Sequence, residues 1–533
     1  MKADLTRKSY DPAKTFSRVL MQQGRVQLDA DWNEQAAITL HGMRRLAMDI
    51  GGQAWTSDSG FLPLDLAIGP VTDDVAFSPG TFYVDGILCE NQAAPVALTL
   101  DANNPNVLAV AQWTVNDEAF AVGQYLQLSD GPATSTSAIA KITAVDYANG
   151  KVTVNDASSL AANAANPQAT RVVTYNSQPF AFSPPALFAN RGSVQLYLDV
   201  WERLITSVED DSIREVALNG ADTAARTKVI WQVKTTTPPA LRRNANTPVT
   251  GLSAAQIAQV QQPLNRGLLR ARVEPTAPST DPCAISPTSS YRGPENQLYR
   301  VEIHDGGGLA LSPTFKWSRE NGSVVFSIIG PVASGTGTVT VSLGSLGRDD
   351  RFGLAEGDWV EMQDDSLVLS NAGKLGAIGT LLQVQSISKS ARQVTLTGAA
   401  PAGFHADPAY RPLLRRWDQQ AGDPTAGGVA LTPGGVIAIP SQGGQWIDLE
   451  DGVQVLFEAT ATATFRAGDY WLIPARVATG DVIWPTELDA DQNPHPVARA
   501  PDGVDHHYAA LAIVAPVTNA VPTINSLVTN KQV

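Results

Sequence analysis

The sequence predicts a mainly β, multidomain protein with few helices, in which short antiparallel strands form sandwiches or small barrels behind one N-terminal amphipathic helix. Three observations predict it. The chain has 43 Gly and 35 Pro but only 17% charged residues, a composition that favours short strands and turns over helical bundles. From residue 60 onward, alternating apolar and polar runs recur between Asp-Gly and Asn-Gly turn signals. At 533 residues the chain is too long for one ordinary core, so two to four domains are expected.

The first informative stretch is "FSRVLMQQGRVQLDADWNEQ", residues 16–35. "QQG" signals a turn and "RVQLDA" alternates as a short strand would. Asp31 stands three residues before Glu34, the capping-box spacing. Trp32, Ala36, Ala37, Leu40, Met43, Ala47 and Ile50 follow at helical intervals, and Gly51-Gly52 ends the run. This predicts a helix over 31–50 with Trp32 on its apolar side. Arg44 and Arg45 lie near its C-terminal end, where the helix dipole favours cations.

Beyond the helix the pattern turns to β. "GTFYVDGILCEN" reads as a hairpin around Asp85-Gly86, and "AKITAVDYANGKVTVND" as one around Asn149-Gly150. "VGQYLQL", "EGDWVEM" and "AGDYWLI" repeat one phrase, a Gly two residues before an aromatic at a strand start. The first two each precede a hairpin of β-branched residues, so residues 119–154 and 353–398 are expected to be related. The organisation that follows is a strand–helix segment at 1–52, a central β frame at 53–108 and 176–330, inserted β domains at 109–175 and 331–410, and a C-terminal β region at 411–533. A Pro-rich wrap at 235–298 includes one helical stretch after Ser253.

Composition also excludes function classes. A net charge of −14 argues against nucleic acid as the main partner. No apolar run approaches the ~20 residues of a transmembrane helix, and the basic start lacks the apolar stretch of a secretory signal. Cys89 and Cys283 read as unpaired thiols of a reducing cytoplasm. No Walker A, G-x-G-x-x-G, H-E-x-x-H, C-x-x-C or G-x-S-x-G sequence is present, so no cofactor or metal is expected.

Candidate chemistry is sparse. "HDGGG" at 304–308 is read as a loop. The adjacent His506 and His507 would point to opposite faces of a strand, one buried and hydrogen-bonded, the other facing out. Glu209-Asp210-Asp211 and Asp364-Asp365 could supply a glycosidase pair, but solvated turns are the simpler reading. Trp201, Trp231, Trp317, Trp359 and Trp471 sit in strand patterns that suit core packing. Arg203, Arg214, Arg226, Arg300 and Arg319 lie beside acids and are expected to pair with them.

Five phrases in order carry a resemblance: "FSRVLMQQGRVQLDADWNEQ", "LYLDVWERLITSVEDDSIREVALNGADTAARTKVIWQVK", "GPENQLYRVEIHDGG", "TFKWSRENGSVVF" and "DGVDHHYAALAIV". Together, from about residue 5 to 515, they resemble a bacterial family of unknown function met in gene clusters for phage-tail-like contractile injection systems, with divergence in the loops at 100–190 and 330–400. The resemblance carries over no catalytic residues. It implies a non-enzymatic particle component, made in the cytoplasm without a signal peptide and carried in a released or cytoplasmic particle. Such a baseplate-associated fibre, spike-like decoration or cage would be a homo-oligomer, with a trimer favoured over a hexamer, bound to baseplate or tail proteins. The expected attachment residues are Arg25, Trp32, Asn33 and Glu34. The alternative is a module that binds a cell-surface glycan or envelope through exposed Tyr125 and Trp359; a polysaccharide-degrading enzyme ranks below it.

Overall fold

The computed structural model describes residues 1–64, 74–91, 94–111, 114–115, 118–131, 138–158, 160, 164–181, 184–188, 192–237, 266–275, 290–371, 379–422, 429–441, 444–459, 463–489, 492–517 and 520–528. The expected helix after Ser253 lies outside these residues, as does Cys283. The protein is mainly β, 42% strand and 10% helix. It forms two compact units, each assembled from three separate pieces of chain. One comprises Met1–His41, Glu202–Lys228 and Gln261–Asp505; the other comprises Gly42–Trp201, Val229–Val260 and His506–Val533.

The second unit contains a closed six-stranded barrel of Val96–Leu100, Val107–Val110, Tyr125–Asp130, Ala138–Asp146, Lys151–Val154 and Pro167–Val172. Its first two strands start ahead of the inserted segment expected from residue 109. Leu98, Leu108, Leu126, Leu128, Ile142 and Val152 fill its interior. Elsewhere in this unit, the strands Gly80–Val84 and Ile87–Asn91 form the expected hairpin. Asp85 (φ 48°) and Gly86 (φ 75°) both take the left-handed conformation that a two-residue turn of this kind requires. A four-stranded sheet includes Val194–Ile205 and His507–Val517, which pair antiparallel.

The first unit holds a five-stranded sheet that includes Gln297–Ile303, Thr314–Ser318 and Tyr470–Arg476, and a seven-stranded sheet. "HDGGG" is the loop between the first two of these strands, as expected. Six strands of the larger sheet, Val325–Ser327, Thr338–Ser342, Trp359–Gln363, Thr380–Ser388, Gln393–Thr397 and Leu413–Trp417, follow the same neighbour order as the barrel. Its ends meet where Ile329 N–H donates to the Ser342 carbonyl (2.8 Å) and Gly344 N–H to that of Ser327 (3.0 Å).

The likeness between these two sheets extends to single residues. Tyr125 pairs with Val172 and Trp359 with Trp417 at the start of corresponding strands. The following hairpins share a register irregularity, at Ile142/Ala144 and at Val384/Ser386. The Gly of the repeated phrase has one job in both. Gly123 and Gly357 each sit at φ 95°, and each N–H donates to the next strand at the irregularity, to Ile142 and Val384 (2.9 and 2.8 Å). Gly468 makes the matching turn before Tyr470–Arg476 (φ 86°, N–H to the Ile303 carbonyl, 2.9 Å).

The N-terminal helix, α1, runs Asp29–Gly51, two residues earlier than its sequence signal. The expected strand at "RVQLDA" is absent: residues 25–28 have no regular structure and are exposed. The expected capping box does not form either, because Glu34 and Asp29 bond to the N-terminal arm instead.

Candidate attachment site

The arm that leads to α1 is fixed at its start by charge. Glu302 and Lys316 lie on neighbouring strands, Glu361 on the seven-stranded sheet, and all three are about 1% exposed or less. The Lys2 ammonium lies 3.0 Å from a Glu302 oxygen, and Arg300 Nε donates to the other at 2.6 Å. Lys316 Nζ lies 2.7 Å from Glu361 and 3.6 Å from Glu302, above the Trp417 ring (4.4 Å). Trp417 Nε1 donates to Glu361 at 2.9 Å. Burial pushes the Glu361 carboxyl up, but Lys316 and Lys2 pull it down further, to about 2. Burial lowers the Lys2 ammonium to about 8, against the pull of Glu302. Asn321 adds amide donors to the carbonyls of Met1 (3.0 Å) and Ala3 (2.8 Å).

Further along, the arm is tied to the start of α1. Thr6 donates to Asp29 from its backbone N–H (2.9 Å) and from its hydroxyl, and Ser9 Oγ donates to Glu34 (2.5 Å). Val19 N–H donates to the Gln35 side chain (2.7 Å). Glu34, read as half of a capping box, is thus a clasp between arm and helix, and Asp29 is a second.

The stretch between these clasps and the helix face show apolar side chains to solvent. Phe16, Leu20 and Val26 of the arm are 59%, 68% and 84% exposed. On α1, Trp32 is 73% exposed, Met43 65%, Leu46 60% and Ile50 55%. At 100° per residue these four fall within about 40° of one line. Ala30 and Ile38, on the opposite side, are the buried ones. Trp32, expected on the apolar side of the helix, lies on a stripe that faces out, while the small Ala30 and β-branched Ile38 are covered. Leu40, Met21 and Leu28 are exposed as well, at 41%, 48% and 41%, and the four residues of the α1 stripe alone show on the order of 500 Å² of apolar surface at roughly 200 Å² each when fully exposed. Monomeric soluble proteins rarely leave more than a few hundred Å² contiguous. Periodicity marks these residues in the sequence, but it does not say which side is covered.

Of the predicted attachment residues, Trp32 and Asn33 are exposed on α1, Arg25 is exposed on the arm, and Glu34 is half-buried against Ser9. The two residues expected to recognise a ligand from the surface are placed otherwise. Tyr125 is buried, 6% exposed, because its ring closes the barrel's end against Ala76. Trp359 is half-buried against Leu381, Trp417 and Val436. Tyr125 therefore offers no free ring face for stacking on a sugar.

The acidic clusters are engaged in the fold. Arg203 joins Glu209 (2.8 Å) to Asp365 (2.6 Å), and Arg411 also reaches Asp365 (3.0 Å). Asp364 accepts from Leu367 N–H and Ser366 Oγ (2.8 Å each) at the start of α2, Asp365–Asn371. Asp210 caps a short turn through Ser212, and Asp211 pairs with Arg214. Arg300 and Arg319 also pair with acids, Arg319 with both oxygens of Glu450. Arg226 departs from expectation: at an exposed strand start, its guanidinium donates to the Ala224 and Ala225 carbonyls. His506 is buried, with Nδ1 2.7 Å from Asp199, and the more exposed His507 meets Asp85 at 2.8 Å. Among the described residues no group of three or more His, Cys, Asp or Glu could hold a metal, and no helix is long and apolar enough to cross a membrane.

A family model of unknown function, DUF6519, matches residues 1–124, 139–247 and 242–521. The chain belongs to this family. Its match begins at residue 1, so the arm and α1 are part of the family frame. No curated protein matches the chain.

Proposed function

We propose that this DUF6519 chain is a non-enzymatic structural subunit of a phage-tail-like contractile injection particle, attached at or near the baseplate as a fibre, spike-like decoration or cage. The observation that carries the reading is the exposed apolar surface of the arm and α1, with the start of the arm tied down by buried ion pairs. Water-exposed Trp, Met, Leu and Ile in one stripe are costly unless another protein surface covers them. The particle itself is supported by the five ordered phrases spanning residues 5–515. The carboxylates that a polysaccharide-degrading enzyme would use are consumed by Arg203, Arg411 and a helix cap, and a glycan-binding module is disfavoured by the burial of Tyr125. The subunit is a homo-oligomer, a trimer, that meets baseplate or tail proteins. It is made in the cytoplasm and carried in the particle.

The test compares the intact chain with the triple variant Phe16→Ser, Leu20→Ser, Val26→Ser, whose sites are exposed and leave the cores untouched. Light scattering should give a trimer mass for the intact chain at micromolar concentration, and the chain should co-sediment with sheath-bearing particles from a producing strain. The variant should lose co-sedimentation. An intact chain that is monomeric at 100 µM (about a hundred times a typical working concentration) and absent from sedimented particles would overturn the reading.

A further inference from the structure

The exposed stripe on α1 has a period that a surface helix does not need. Trp32, Ala36, Thr39, Met43, Leu46 and Ile50 are spaced 4, 3, 4, 3 and 4 residues apart, the a/d repeat of a coiled coil held over nearly three heptads. An ordinary amphipathic helix would turn this face toward its own domain. Here the face is exposed, and Ala30 and Ile38 are buried on the other side.

The residues flanking the stripe say what fits against it. Asn33, Leu40 and Ala47 on one flank, and Gln35, Gly42 and Asp49 on the other, include no Lys, Arg or Glu. The remaining charges of the helix, Asp31, Glu34, Arg44 and Arg45, lie on the far side, apart from Asp29 at the first turn. A copy of the same helix, parallel and in register, therefore meets like charge within the seam only at Asp29 and Asp49, near its two ends. Gly42, Ala36 and Ala47 keep its middle slim enough for close approach. A partner chosen through charge would instead need complementary residues at these flanks, as coiled coils that select a different chain place there.

From this we infer that α1 packs against α1 of other copies of this chain as a parallel, in-register coiled coil, with Trp32, Thr39 and Leu46 facing their own counterparts. This rests on the assembly reading above and names the partner at the same surface. Self-packing closes on itself, as cyclic symmetry demands. It also covers the apolar stripe completely, leaving the arm's Phe16, Leu20 and Val26 to meet another component.

Disulfide capture tests the register. Thr39→Cys is made in a chain that carries Cys283→Ser and keeps Cys89, which is buried, its thiol pushed up by burial and unreactive. In a parallel, in-register seam the introduced thiol faces its own copy, so mild oxidation should yield a cross-linked dimer band at micromolar concentration. Arg45→Cys, exposed on the far side of the helix, should yield none. Met43→Asp, at a site 65% exposed in the protomer, should fold normally by circular dichroism and weaken association by 100-fold or more. If light scattering gives an oligomer but Thr39→Cys fails to cross-link, or Met43→Asp leaves the mass unchanged, the seam is wrong and the assembly reading stands. A monomer at all concentrations overturns both.

Discussion

Replacing Lys316 with methionine removes a buried cation while leaving its volume and its contact with Trp417 largely in place. The structure gives the cost. Lys316 Nζ lies 2.7 Å from Glu361, which has no exposed surface, and 3.6 Å from Glu302. Breaking a buried pair by removing one partner costs about 3–5 kcal/mol, because the remaining charge stays desolvated. The carboxyl's own net shift, from 4.5 to about 2, is of the same order, about 3 kcal/mol at ~1.4 kcal/mol per pKa unit, with Lys316 its main favourable cause and Lys2 the second. The sign follows from the direction. A carboxyl depressed in the folded state stabilises above its unfolded pKa and loses that stabilisation as pH falls through its folded value. The contribution is therefore full at pH 7 and roughly half or less at pH 3. Urea unfolding followed by tryptophan fluorescence, with Trp417 as a reporter beside the site, should show Lys316→Met destabilised by about 3–5 kcal/mol at pH 7. The gap to the parent should narrow by about half at pH 3. A difference under 1 kcal/mol at pH 7, or one independent of pH, would refute the account.

Two further outcomes are expected. Gly357→Ala and Gly123→Ala meet no atom within 4 Å but hold φ 95°, so each should cost about 1 kcal/mol, backbone strain alone, in the urea midpoint of its own unit. A cost above 3 kcal/mol would mean that packing is involved. Asp199→Asn leaves Lys234 and His506 without their shared carboxylate (2.6 and 2.7 Å), which these two neighbours hold well below the usual range against the effect of burial. Thermal denaturation should show the variant destabilised at pH 7, with the gap closing as the pH falls through the acid range, where the parent loses the carboxylate's contribution.

How much of this was legible varied with the range of the interaction that decided it. Asp85-Gly86 and the Gly of "VGQYLQL" and "EGDWVEM" were readable because a positive φ is a demand made by one residue on itself. The similarity of the two sheets followed from the same signal. The helix was readable from its period. Its orientation was not, since the rule that the apolar face turns inward assumes a chain that covers itself, and Trp32, Met43, Leu46 and Ile50 do not. "RVQLDA" alternates like a strand, yet no neighbouring strand reaches it, and alternation without a partner makes no sheet. The buried charges were least legible. Lys2, Glu302, Lys316 and Glu361 come from four places in the chain, and "RVEI", "TFKW" and "WVEM" read locally as ordinary alternating strands. Tyr125 and Trp359 looked equivalent in sequence and share a strand position, but the exposure that a glycan-binding role would need is missing at Tyr125, which closes the end of its barrel.

The anchoring of the arm also sets a schedule. Lys2 leaves the ribosome well before the residues that hold it, from Arg300 to Trp417, which follow some 300 to 415 positions later. At about 5–20 residues per second, the last of them emerges roughly 20–80 s after the arm. Through that interval the arm has its clasps to α1 but not the residues that hold Lys2, so a chain stopped short of Trp417 cannot complete the anchor. Only a subunit made past Trp417 has the whole anchor from which its arm is held.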